Sequence, residues 1–533
     1  MSVIPPKQQA VQLVGPDELR LNTAKPVIDP GPHQLLARVE VTGLCFSDLK
    51  LLKQFSGHAR KSPICEGIDA AALGEMPNYV PGGKPAVPGH ETVVRIVEIG
   101  PGVTRHKAGE RFLVQTDYRW LPTASSNAAF GYNFEGALQE YVLFDERVIT
   151  SPEGESMLIP VPEDLSGSAL ALVEPWACVE DAYAEVQRRR LKDGGRLLLV
   201  GESEPDPAML QALPGKPAAV ETATAARLGA FGDGRFDDIL YFGAEAATLE
   251  KLFAKLAAGG LLLIMQQGGR FARAAVVPVG RFHYGGIRVS GTAGGDPMAA
   301  LEAIPATAEI RPGDKVNVIG AAGPMGSMHV IRLLSLGVAG VEVHAGDLND
   351  ERLEHLRALA GPLAQKNGLK LALYNPGRDK PAVAFDYIVM MAPVPALVPQ
   401  AMAMAGKGAI INIFAGIPAE KTAALDLNAV VDRQLYFVGT SGSTLEDMKS
   451  VLAKVVSRQL DTNLSVAAVC GLEGAIDGIR AVEKNLLSGK ILVYPSVRGL
   501  SLTPLEKLRG VPLENGRWTR QSEDALLQLY GKS

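Results

Sequence analysis

The sequence predicts an α/β chain: a β-rich amino-terminal part, then two parallel-sheet units in tandem, the first of them degenerate. Three observations carry this. Val316-Asn317-Val318-Ile319 is a short apolar run rich in β-branched residues, too short for a buried helix, and a glycine-rich turn and helical spacing from Ser327 to Leu336 follow it. Residues 10 to 150 look β-rich, with Leu35 to Val41 alternating as a half-buried strand should. The strand pattern at Phe385 to Met391, Gly406 to Ile413 and Leu435 to Gly442 also occurs earlier, at Phe236 to Phe242, Gly259 to Met265 and Gly286 to Thr292. The offset stays near 149 residues, and a stable offset is what a duplication leaves.

Composition narrows the function classes. A length of 533 residues suggests about three domains. Hydrophobic content of 47% with 21% charged residues is that of an ordinary soluble globular chain. A net charge of −5 without long basic runs argues against a nucleic-acid partner. The densest basic cluster, Arg188-Arg189-Arg190, reads as a solvated helix end. Cys45, Cys65, Cys178 and Cys470 are scattered with no C-x-x-C, so neither a disulfide framework nor a cysteine-rich zinc module is expected. Met1 to Pro6 has no charged segment leading into an apolar core, and no run approaches a membrane span. The expectation is a cytoplasmic protein of a reducing compartment, with no membrane partner.

In the amino-terminal part, Leu35 to Val41 alternates as a half-buried strand. Thr42-Gly43-Leu44-Cys45-Phe46-Ser47-Asp48 follows, then Val87-Pro88-Gly89-His90-Glu91 and the strand Val93 to Ile99. Lys107 to Phe112 opens another strand, and Glu135 to Val142 a further one. In this order the stretches resemble the medium-chain dehydrogenase/reductase superfamily, the zinc-dependent alcohol and polyol dehydrogenases. The resemblance covers most of the chain. It implies a GroES-like catalytic domain followed by a Rossmann domain.

The resemblance also implies a catalytic zinc. Such a site takes three protein ligands from Cys, His and Asp/Glu and leaves a position for water or substrate. Cys45 and His90 are the first two by resemblance. The third is suggested by Leu172-Val173-Glu174-Pro175, since polyol dehydrogenases similar to sorbitol dehydrogenase carry E-P where simple alcohol dehydrogenases carry cysteine. Glu174 is thus the implied ligand, with Glu91 able to ligate transiently or in its place, and Cys178, one helical turn on, a competitor. Ser47 is placed like the hydroxyl that relays the alcohol proton, and Asp48 like the acid that orients a ligand. The family's structural zinc lobe needs four close cysteines. Residues 113–135 hold none, so a second zinc is not expected. That stretch is aromatic instead (Tyr118, Trp120, Phe130, Tyr132, Phe134), suited to loop packing or to walling a cleft. Lys53 to Ala86 is longer than the family's usual connection, and lid and oligomer contact both stay open for it.

The middle of the chain departs from the family pattern. The strand Gly195 to Gly201 is followed by Glu202, Ser203, Glu204, Pro205, Asp206 and Pro207. Three acids repel a pyrophosphate, and prolines remove N–H donors. This copy is therefore expected to be Rossmann-like but unable to bind nucleotide. It is suited to covering a sheet edge as an internal pseudo-dimer, with a homo-oligomer as the alternative.

The second copy keeps the phosphate turn, Gly320-Ala321-Ala322-Gly323-Pro324-Met325-Gly326. Glycines let the backbone approach a pyrophosphate, and the helix start supplies free N–H groups. Asp347, about 20 residues beyond the last glycine, suits a ribose 2′-OH and repels a 2′-phosphate. This favours NAD(H); Arg352 keeps NADP(H) open. Ala392, Ala415, Gly416 and Thr440 end strands and should line the nicotinamide side.

The expected domains are 1–190 (GroES-like), 191–311 (degenerate Rossmann-like), 312–462 (nucleotide-binding Rossmann) and 463–533 (return to the catalytic domain plus an extension, with Trp518 and Leu526-Leu527 in a docked helix). The expected function is zinc-dependent hydride transfer between NAD(H) and a secondary alcohol or ketone of a polyol, sugar or sugar phosphate. The alternatives are a zinc-free reductase of the quinone-oxidoreductase kind and a non-catalytic nucleotide-binding scaffold.

Overall fold

The alternating segments of the amino-terminal part pair into one mixed sheet. Its neighbours run Thr503–Pro504, Val466–Cys470, Lys490–Val493, Gln34–Gly43, Glu91–Ile99, Arg111–Val114 and Leu158–Pro160, with Tyr141–Asp145 also on Gln34–Gly43. The computed structural model describes residues 4–440 and 442–531; Met1 to Val3 and Ser441, which entered the readings above, lie outside the described residues. The chain divides into two units, one running to Ala177 and resuming at Ser443, the other spanning Cys178 to Gly442.

These boundaries differ from the expected ones. The return to the first unit begins near 443 instead of 463, because the helix Leu445–Val456 packs on the helix Gly167–Ala171. In addition, Arg119 Nη2 donates to the Ser443 carbonyl at 2.7 Å. The first unit ends at Ala177 instead of 190. The two parallel sheets, expected as separate domains, form one unit because they share a core. The long segment Lys53–Ala86 is anchored: Phe55, Met76 and Val80 are buried, and Lys61 Nζ donates to the carbonyls of Val80 and Lys84. The carboxyl-terminal extension is helical over Arg520–Tyr530, with Trp518 and Leu526 buried. Glu523 accepts from the Gly167 and Ser168 amides at 2.6 and 2.7 Å.

In the second unit, the longer parallel sheet has neighbours Lys370–Tyr374, Glu342–Gly346, Lys315–Ile319, Phe385–Met390, Ala405–Ile413 and Tyr436–Val438. In chain order this is 3-2-1-4-5-6. The shorter sheet runs Ala219–Thr224, Arg196–Gly201, Phe236–Phe242, Leu256–Met265 and Arg288–Thr292. It has the same order with the outermost strand missing. After Gly201 a 3-10 segment, Pro207–Ala212, stands where the longer sheet has a helix. Leu198, Ile264 and Phe282 from the first half join Ile388, Ile411 and Phe437 from the second in one apolar core. Ala275–Val277 also pairs antiparallel with Ala423–Leu425. The Arg188-Arg189-Arg190 run lies beyond the helix that ends at Ala184, so it is not a helix end. Arg188 reaches the buried Asp238 at 2.5 Å. Among the described residues no helix is long and apolar enough to cross a membrane.

Behind the glycine turn, the helix Pro324–Ser335 carries a buried polar row. Arg332 bridges Glu180 (2.9 Å) and Glu309 (2.7 Å), and His329 Nδ1 lies 2.8 Å from the Tyr183 hydroxyl. Burial, with Arg332 nearby, pushes His329 down to about 3. The folded protein therefore holds a neutral imidazole where the unfolded chain protonates near 6.5. Unfolding takes up a proton throughout that window, so stability falls as pH drops below about 6.5. Between pH 7 and 5 the wild type is expected to lose about 2 kcal/mol more than His329→Gln. Urea midpoints at the two pH values check this; parallel losses would refute it.

Candidate metal centre and nucleotide site

The first unit builds a donor cluster from two adjacent strands. Gly43 pairs with Glu91 across the sheet, so the residues just past one strand meet those just before the other. Cys45 is the N-cap of the helix Phe46–Gln54. Its backbone N–H donates to Asp48 Oδ2 at 3.1 Å, which leaves Oδ1 to face His90 Nδ1 at 3.2 Å. Ser47 Oγ lies 3.2 Å from His90 Nε2. The ligating atoms of Cys45, His90 and Glu91 all lie within 4.8 Å of one another; among the described residues no other such trio of His, Cys, Asp or Glu occurs.

Glu174, the ligand implied by resemblance, is buried in the first turn of the helix Val173–Ala184 but is not in that trio. Burial pushes it up to about 7; His90 and Lys490 pull it down, and Glu91 and Asp117 push it up. It is therefore close enough to sense the cluster. Cys178 falls in the other unit and is also outside the trio.

The electrostatics suit a cation. Burial disfavours a charged His90, yet Asp48, Tyr132 and Cys45 together hold it well above its usual range. Glu91 is fully buried; its Oε1 pairs with Lys490 Nζ at 2.5 Å, while Oε2 has no hydrogen-bond partner. A thiol, an imidazole and an unsatisfied carboxylate oxygen within 4.8 Å of one another form a donor set that zinc accepts. The residues present thus fit the metal that the resemblance implies.

Sequence reasoning missed Lys490, which also donates to the Leu44 carbonyl at 2.8 Å. Its only signal was a lysine opening an apolar strand. Tyr132 stands out within the aromatic stretch. Its ring lies 5.8 Å from His90 and 5.1 Å from His58, with the Arg60 guanidinium 5.4 Å over it. Tyr118, Phe130 and Phe134 pack in the core.

The second unit holds the glycine turn. Gly320 takes φ +82°, and Gly323 caps the helix Pro324–Ser335, three residues earlier than the spacing suggested. A Cβ on Gly326 would lie 2.3 Å from the Gly320 carbonyl oxygen, so only glycine lets the helix approach the strand this closely. Pro324 and Met325 occupy the first helical turn. Asp347 follows the second strand; its Oδ2 accepts from the Ala322 amide at 3.1 Å and its Oδ1 from the Asn349 amide at 3.0 Å. The carboxylate braces the glycine turn and retains lone pairs for a ribose. Arg352 sits in the first turn of the helix Asp350–Lys366. Ala392 lies beside Gly320, and Ala415, Gly416 and Thr440 follow the carboxyl ends of the fifth and sixth strands.

Residues 31–153 match the alcohol dehydrogenase GroES-like domain. An Escherichia coli protein, YggP, is 28% identical over 42% of this chain and 58% of its own length. The L-sorbose 1-phosphate reductase of Klebsiella pneumoniae is 26% identical over 41% of this chain and 56% of its own. The sorbitol dehydrogenase of Halalkalibacterium halodurans is 26% identical over 30% and 40%. The chain thus spans about half the length of such curated relatives. The structure of 2R,3R-butanediol dehydrogenase from Bacillus subtilis shares the fold, with TM-score 0.54, 16% identity, and 92% of this chain and 100% of that one covered. Residues 31–153 thus form a domain of the alcohol dehydrogenase GroES-like family, and the chain beyond them is similar to these dehydrogenases and reductases in sequence and to the butanediol dehydrogenase in fold.

Proposed function

We propose that the chain is a zinc-dependent oxidoreductase that moves hydride between NAD(H) and a secondary alcohol or ketone of a polyol, sugar or sugar phosphate. The convergence of Cys45, His90 and Glu91, with Glu174 in electrostatic reach, carries this reading. Bound zinc supplies Lewis acidity towards an alcohol oxygen, and the dinucleotide accepts or donates the hydride.

The chain's own residues do the rest. Asp48 Oδ1 faces His90 Nδ1 at 3.2 Å, which leaves Nε2 as the donor nitrogen in this reading. Lys490 fixes one oxygen of Glu91 and leaves the other free to face the cluster. Ser47 Oγ, 3.2 Å from His90 Nε2, takes the proton of a substrate hydroxyl in this reading. Glu174 is held partly protonated by burial and is available either as a ligand or as a nearby acid.

The polyol branch is supported by Glu174-Pro175 and by relatives named for sorbitol and sorbose 1-phosphate. NAD(H) preference rests on Asp347. The matching strand orders and the shared core support reading the first sheet as a degenerate Rossmann copy that covers its partner as an internal pseudo-dimer. A cytoplasmic location and a small-molecule substrate complete the proposal.

Metal content of protein purified without chelator tests it. A single zinc per chain is expected, lost in Cys45→Ser while NADH still binds. Metal-free wild type that binds NADH and reduces carbonyl substrates would overturn the reading.

A further inference from the structure

The short helix Gly280–Tyr284 belongs to the first parallel-sheet half, yet it sits against the carboxyl ends of two strands of the second half. Gly439 follows the sixth strand, Tyr436–Val438; a Cβ there would lie 2.9 Å from the N and Cα atoms of His283. Gly416 follows the fifth strand; a Cβ there would lie 2.6 Å from Tyr284 Oη. The His283 ring stands edge-on to Phe414 at 6.2 Å. Arg288, almost wholly buried, ties the arrangement together by donating to the Phe282 carbonyl (3.3 Å), the Gly439 carbonyl (3.1 Å) and Glu185 (2.7 Å). The first half thus presses a tyrosine hydroxyl onto the loop after the fifth strand. Tyr284 nevertheless keeps 39% of its surface open.

Ligands of open α/β sheets bind outside the carboxyl ends of the strands. The glycine turn at Gly320 lies on this same edge, beside Met391 and Ala392. A dinucleotide held there by its pyrophosphate extends its nicotinamide towards the fourth to sixth strands, where Gly416 and Gly439 stand.

We propose that Tyr284, backed by His283, is a binding residue for the nicotinamide end of the cofactor. Its ring walls the crevice and its hydroxyl hydrogen-bonds the carboxamide. The half without a phosphate turn then completes the binding site of the half that has one. This rests on the nucleotide site proposed above.

Calorimetric titration with NADH and with ADP-ribose, which lacks only the nicotinamide, tests it. Tyr284→Ala is expected to weaken NADH about tenfold and to leave ADP-ribose within about twofold of wild type. Tyr284→Phe, which keeps the packing, is expected to weaken NADH about threefold or more, again sparing ADP-ribose. Equal loss of both ligands would show a merely structural role, and no loss of NADH binding would show none; either overturns the proposal. Wild type that fails to bind ADP-ribose would overturn the nucleotide site itself, and this assignment with it.

Discussion

Replacing Lys490 by methionine is expected to destabilise the metal-free protein by about 3–5 kcal/mol, the usual cost of stranding one partner of a buried ion pair. Lys490 Nζ stands 2.5 Å from Glu91 Oε1, and both side chains are almost wholly excluded from solvent. Methionine keeps the apolar stem, so the loss reports the charge and not a cavity. Burial opposes the charged lysine, but Glu91, Cys45 and Glu174 hold its ammonium above its usual range, so the lysine is charged at neutral pH. The double variant Glu91→Gln/Lys490→Met removes both charges and should recover most of the loss. Zinc should also rescue the single variant in part, since a bound cation takes over the neutralising role. Chemical denaturation with and without metal reads all three; a single-variant loss below about 1 kcal/mol would show that Glu91 simply takes up a proton.

Gly326→Ala should damage the nucleotide site with little effect on the metal centre. The added Cβ would meet the Gly320 carbonyl oxygen at 2.3 Å and the Ala321 backbone at 2.9 Å. Neither neighbour is the end of a flexible side chain, so the turn itself has to open. Overpacking of this kind costs about 1–3 kcal/mol. If the cost falls on the binding-competent turn, NADH affinity drops about 5- to 150-fold. Titration of NADH together with zinc content checks this. An affinity within about twofold of wild type would mean that the turn accommodates the methyl group.

Local chemistry made part of this molecule legible. The glycine turn, Cys45, Ser47, Asp48 and His90 sit in short motifs whose neighbours in sequence are also neighbours in space. The tandem strand pattern was visible because buried parallel strands are continuous apolar runs. The two edge strands were not. Ala219–Thr224 and Lys370–Tyr374 are half-exposed and mixed in polarity, so they carry no such signature. Lys490 and Tyr284 were invisible for another reason. Each acts on residues more than a hundred positions away, and nothing near either in sequence marks the partner. The return point at 443 was misplaced because Leu445–Val456, an ordinary amphipathic helix, fits either unit by pattern alone.

The Glu91–Lys490 pair also governs how the chain emerges during synthesis. The partners lie 399 residues apart, which at usual elongation rates is about 20–80 s of translation. Throughout that interval the strand Gln34–Gly43 waits for Lys490–Val493, which pairs with it at Thr42 and Gly43. The nascent amino-terminal part therefore leaves Thr42 and Gly43 without this strand partner, and Glu91 without Lys490, until the strand Lys490–Val493 has emerged.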